Sequence, residues 1–185
     1  MRLDLGSAIL YGISSALGAI DFTVLRAASM IGFVLTVDEV RLKPVRATAW
    51  NQKTIDEWHQ KKGRGVGPWG DHVLLMTARG AKSGELITTP LVFGRDGDRY
   101  VIVASKGGAP THPTWFNNLK HDPDVEVEAP TEDGTEKFKA RAHVVHDRAE
   151  RDRLFKEMTR IWPSYADYEK RTDRLIPVLL LERRP

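Results

Sequence analysis

The 185-residue sequence contains no cysteine. That absence removes disulfides, thiolate catalysis, iron–sulfur clusters and cysteine-ligated zinc together, and it accords with a reducing compartment. Any redox chemistry must therefore come from a bound cofactor. No Gly-x-Ser-x-Gly, no His-Glu-x-x-His and no Walker-type phosphate loop occurs, since Lys82-Ser83 precedes its glycine, so hydrolase and nucleotide-triphosphatase readings lack support. His143 and His146 fall on opposite faces of an extended segment, and no metal site is expected. Neither charge sign dominates: 28 Lys+Arg stand against 25 Asp+Glu, a mild basic excess that suits anionic small molecules and requires no nucleic acid.

Long apolar runs are missing as well. The uncharged stretches Leu5 to Ile20 and Ala27 to Val37 are each shorter than the ~20 residues that span a bilayer as a helix. Leu5, Ile9, Ile13, Leu17, Ile20 and Val24 recur at helical spacing, which predicts an amphipathic helix. A signal peptide fits poorly, because Asp4 spoils the positive flank and no strong cleavage site follows. Residues 1–44 are expected to form an apolar helical extension, with residues 5–37 packing on the domain or a dimer mate, or touching a membrane peripherally. The protein is then expected to be cytoplasmic, with the inner face of the cell membrane as the place of contact where residues 5–37 touch a membrane rather than protein.

Residues 45–185 read as one domain. Thr54 to Lys62 is predicted as a short helix capped by Thr54, with Glu57 three residues on and Gly63 closing it. Gly65, Gly67 and Gly70 form a formal G-x-G-x-x-G, but a polar helix precedes it and Pro68 interrupts it, so the segment is a loop and no dinucleotide fingerprint. Six strands follow, near Val73 to Ala78, Leu86 to Phe93, Tyr100 to Ala104, Val125 to Ala129, Lys137 to Val145 and Ile176 to Leu181. Asp-Gly turns at 96–97 and 133–134 predict two hairpins. Helices are expected over 113–119 and from Asp147 to about Arg160. The class is therefore mainly β with peripheral helices (α+β), its antiparallel sheet able to close into a small barrel.

Three segments carry candidate chemistry. TARGAKSGELITTP (77–90) ends a strand in a basic turn whose backbone N–H groups, Ser83 hydroxyl and Arg79 and Lys82 cations suit one anion; a solvated turn is the plain alternative. ASKGGAPTHPTWFNN (104–118) leads through paired glycines, which let backbone approach a flat ligand closely, into a helix carrying Trp115 and Phe116. IWPSYADY (161–168) spaces Trp162, Tyr165 and Tyr168 by three, which predicts one shared helical face; phenols beside an indole suit a half-wet pocket rim better than a dry core.

TARGAKSGELITTPLVFGRDGDRYVIVASKGGAPTHPTWFNNLKHDPDVEVE, with the later YADYEKRTDRLIPVLLLE, resembles the deazaflavin-dependent nitroreductase family over about residues 73–182. The resemblance implies an FMN-binding-protein-like split β-barrel that binds reduced coenzyme F420, an 8-hydroxy-5-deazaflavin. It implies hydride transfer to a quinone, nitroaromatic or other activated unsaturated acceptor. On that basis Lys82 and Ser83 meet the coenzyme's phosphate and acidic tail, with Arg79 as helper. Pro90, Leu91 and Val92 line the deazaflavin; Ala104, Ser105, Gly107 and Gly108 frame its ring. Trp115 and Asn118 close the cofactor cleft, and Trp162, Tyr165 and Tyr168 shape the acceptor pocket, with Tyr165 as hydrogen-bond or proton donor. The chain departs from the family where arginines are frequent, at Ala81 and Ile87. The resemblance also suggests a homodimer. Two alternatives stay open: an FMN-dependent split-barrel oxidoreductase, and a non-catalytic deazaflavin-binding protein.

Overall fold

The computed structural model describes residues 47–185, within a compact unit spanning Lys43–Pro185. The expectations for residues 5–37 lie outside the described residues. Among these, no helix is long and apolar enough to cross a membrane.

The described chain opens with helix α1 (Ala49–Gln60). Strands β1 (Val73–Arg79), β2 (Leu86–Asp96) and β3 (Arg99–Val103) follow, then α2 (Thr114–His121), β4 (Asp124–Thr131), β5 (Gly134–Val144), α3 (Arg148–Ile161), α4 (Ser164–Lys170) and β6 (Val178–Arg183). The strands close into an antiparallel barrel in the order β1-β2-β3-β6-β5-β4. The last seam pairs β4 with β1, from Leu75 opposite Glu128 to Ala78 opposite Val125. The expected antiparallel barrel, and both Asp-Gly hairpins, are present.

Several strands read as unbroken apolar runs because both faces of the wall are covered. Leu74, Met76, Tyr100, Ile102, Val127, Leu179 and Leu181 fill the interior. The alternate residues Val101, Val103, Val178 and Leu180 bury outward against Leu154, Phe155 and Met158 of α3. Val73 and Leu75 face outward under Ile55 and Trp58 of α1. The Trp58 indole N–H donates to the Val73 carbonyl at 2.8 Å, fixing α1 to the start of β1.

Two helix expectations are corrected. The cap of α1 is Thr48, whose hydroxyl accepts from the Asn51 amide at 3.3 Å, so the helix starts well before Thr54. Glu57 makes no capping box; it pairs with Lys61 at 2.7 Å and accepts from the Gly67 amide. Trp162 does not share a helical face with Tyr165 and Tyr168. It adopts an extended conformation (φ −131°, ψ 91°) after α3, as the residue before Pro163 is sterically pressed to do.

Antiparallel alternation sends the 80–85 turn, the 104–113 loop, the start of β4 and the start of β6 to one end of the barrel. From β5, α3 runs back along the outside of the wall and passes close over Gly94 of β2. A Cβ there would lie 2.8 Å from Met158 Sδ and 2.9 Å from Ile161 Cδ1. Gly94→Ala is expected to destabilise the fold by about 1–3 kcal/mol through overpacking, read as a lowered Tm.

At one margin of the interior Tyr100 donates to Glu136 at 2.6 Å, and Arg183 bonds the same carboxylate at 2.6 Å. Burial pushes the Glu136 carboxyl up, but these hydrogen bonds outweigh it and leave its pKa below the ordinary value. A depressed carboxyl adds stability above its unfolded pKa and loses it as pH falls through the folded one. Glu136→Gln is therefore expected to flatten the loss of Tm between about pH 5 and pH 3.

Candidate active site

A cavity of about 630 Å³ runs along β2. Its barrel wall is Ile87, Thr89, Pro90, Leu91 and Val92, a stretch only partly covered by the rest of the fold. Trp50, Asn51 and Thr54 of α1 stand on one side, and Trp162, Tyr165 and Tyr168 on the other. Ser105, Lys106 and Gly107 with Trp115 and Asn118 of α2 close the remaining end. The break at Trp162 thus leaves the aromatic trio in one cavity, and Trp69 extends it, with ring centroids 6.1 Å from Trp162.

Tyr165 is 4% exposed, and its hydroxyl makes no hydrogen bond within the described residues. No fully enclosed side-chain polar atom among those residues lacks a partner, so this hydroxyl opens onto the cavity. Burial, reinforced by Tyr168, pushes its pKa far above the ordinary phenol value, which keeps it a neutral donor. Ser105 is buried as a residue, and its hydroxyl, likewise unpartnered, opens at the cavity wall.

The basic turn sits beyond the end of this cavity and is shaped by it. Asn118, buried on the face of α2 that also carries Trp115, accepts the Ala81 amide at 3.1 Å. The Gly80 amide donates to Glu85 and the Gly84 amide to Gly80, each at 2.8 Å, which rounds the turn. Lys82 projects exposed with no ion pair among the described residues, while Ser83 Oγ accepts the Glu85 amide at 3.2 Å. Arg79 turns elsewhere: it donates to the Gly84 carbonyl at 3.0 Å and lies 3.6 Å from Asp122.

Of the residues expected at the site, Pro90, Leu91, Val92, Ser105, Gly107, Trp115, Asn118, Trp162, Tyr165 and Tyr168 come together around the cavity. Arg79, Lys82, Ser83, Ala104 and Gly108 do not line it. Ala104 is fully buried in the barrel core, and Gly108 supports α4 from beneath. Sequence reasoning passed over Lys106, Thr54, Asn51, Trp50 and Trp69. Trp50 is 80% exposed at the cavity, on a first helical turn that the cap expected at Thr54 left out of the helix. Among the described residues no cluster of His, Asp and Glu could hold a metal.

These donors and walls fit a flat, anionic, ring-bearing cofactor. The β2 wall supplies apolar area, Ser105 and Tyr165 offer unpartnered hydroxyls, and Gly107 keeps open space where a Cβ would stand. Gly108 is a sharper constraint: with φ at +81°, a Cβ would fall 2.6 Å from the Tyr168 carbonyl oxygen. Gly108→Ala is expected to push α4 off the loop, read as a lowered Tm.

The family described as F420H(2)-dependent quinone reductase matches residues 50–183. An F420H(2)-dependent quinone reductase of Mycobacterium tuberculosis (strain ATCC 25618 / H37Rv) is 40% identical over 121 residues, covering 60% of this chain and 73% of that protein. A solved F420-H2 dependent reductase is 38% identical with a TM-score of 0.54, over 60% of this chain and 94% of that one. Another solved relative, described as a domain-swapped dimer, is 34% identical with a TM-score of 0.55, over 72% and 97%. The match runs from α1 through β6 and takes in every wall of the cavity, and the chain belongs to the F420H(2)-dependent quinone reductase family.

Proposed function

We propose that this chain reduces a quinone with reduced coenzyme F420 in the cavity along β2, with Tyr165 as the donor that steadies the reduced acceptor. The observation that carries this reading is a buried phenol without a hydrogen-bond partner, opening onto a cavity that has an apolar wall opposite. When bound, the deazaflavin supplies the hydride. Pro90, Leu91 and Val92 offer the apolar surface for its ring, and Ser105 and Gly107 approach it with backbone and hydroxyl. Lys82 and Ser83, on the turn held by Asn118, take the phosphate and acidic tail as charge-assisted hydrogen-bond donors. Arg79 contributes there by holding the turn's Gly84 carbonyl.

At the acceptor, Trp162, Tyr168 and Trp69 present aromatic surface to a flat ring and keep water away from the reacting atoms. Tyr165, held neutral by its burial, donates a hydrogen bond to the oxygen on which negative charge develops. Quinones gain most from this donor, and nitroaromatics and other activated acceptors present an oxygen to the same hydroxyl. The uncharged stretches within residues 5–37 suit delivery from a membrane in which a lipid-soluble quinone is dissolved. Pairing into a homodimer is supported by the solved relative described as a domain-swapped dimer.

Steady-state turnover of F420H2 with a water-soluble naphthoquinone tests the assignment. Tyr165→Phe is expected to lower kcat at least about tenfold with F420 affinity unchanged; an unchanged kcat removes Tyr165 from the chemistry. Lys82→Ala is expected to do the reverse, weakening F420 binding about tenfold while leaving kcat at saturation near that of the wild type.

A further inference from the structure

Arg174 lies in the connection between α4 and β6, and its guanidinium is half-buried with no carboxylate paired to it among the described residues. Burial pulls its pKa down from the ordinary arginine value. In place of a counter-ion it holds the loop that follows β3. Nη2 donates to the Ser105 carbonyl at 2.7 Å and the Ala104 carbonyl at 3.2 Å, and Nε to the Ala109 carbonyl at 2.9 Å. Nη1 meets the His112 Nδ1 at 3.1 Å, which makes that nitrogen the acceptor. Only a planar fork reaches such a set of acceptors at once; an ammonium is a point charge on a flexible stem.

The consequence lies on the other side of each peptide. In a trans peptide the carbonyl and the following N–H point in opposite directions, and no cis bond occurs among the described residues. Turning the Ala104 and Ser105 carbonyls onto Arg174 therefore turns the Ser105 and Lys106 N–H groups away from it. Neither amide donates to any described residue, and both residues line the cavity. The next residues, Lys106, Gly107 and Gly108, all have positive φ (49°, 65° and 81°), a conformation costly for the lysine that needs support from its surroundings.

We infer that Arg174 is a positioning residue: by gathering the carbonyls of the strand-end loop, it presents the Ser105 and Lys106 amides as a pair of donors to acceptor atoms of the cofactor ring. This rests on the cofactor reading above. It also gives the uncompensated guanidinium a role that an ordinary structural ion pair would not need.

Amide hydrogen exchange of the wild-type protein, free and with oxidised F420, is the direct test. The Ser105 and Lys106 amides are expected to exchange readily in the free protein and to be protected at least about tenfold on binding. Failure of the wild type to bind F420 overturns the cofactor reading and this inference with it. Binding without protection of these amides overturns this inference alone. In parallel, Arg174→Lys keeps the charge and loses the fork. It is expected to weaken F420 at least about tenfold and to shift the fluorescence of the bound deazaflavin, with kcat at saturation altered much less. An Arg174→Lys protein that binds F420 as the wild type does overturns the positioning role.

Discussion

Closure of β4 onto β1 is the constraint from which the rest of the structure follows. Once Leu75 to Ala78 pair with Glu128 to Val125, the sheet has no free edge and its interior must be filled by side chains. The wall's outer face then needs its own cover, which α3 provides over β3 and β6 and α1 over β1. The length of β2 between these two covers is left open, and there the cavity forms.

Closure also fixes which loops meet. The basic turn after β1, the glycine loop after β3, the helix before β4 and the segment before β6 arrive at one end because the strands alternate. Each is then tied to a neighbour by a side chain to backbone hydrogen bond. Asn118 holds the Ala81 amide, and Arg174 holds the Ala104, Ser105 and Ala109 carbonyls. Gly108 lets α4 settle directly on the loop, joining the aromatic side of the cavity to the glycine side. A site assembled this way rests on rigid strands although its residues come from loops.

Much of this was legible in the sequence, for identifiable reasons. Asp96-Gly97 and Asp133-Gly134 announce hairpins because few residue pairs accept that turn, and the burial alternation of β4 and β5 shows in VEVEA and KFKARA. The site's glycines and aromatics were legible because their order resembles a family. The contribution of α1 was not: Trp50, Asn51 and Thr54 become cavity residues only once Trp58 has docked the helix against Val73. Arg174 was also invisible, since an arginine in a basic tail segment gives no sign that its partners are carbonyls some seventy residues earlier. The break at Trp162 was written in the following proline, whose steric demand outweighs the threefold spacing of the aromatics.

The central claim is that this cavity and its turn select a deazaflavin. Titrating the purified protein separately into oxidised F420 and FMN, and following the intrinsic fluorescence of each, tests it most directly. A saturable change with F420 and little with FMN is expected. Preference for FMN, or no binding of either, would contradict it.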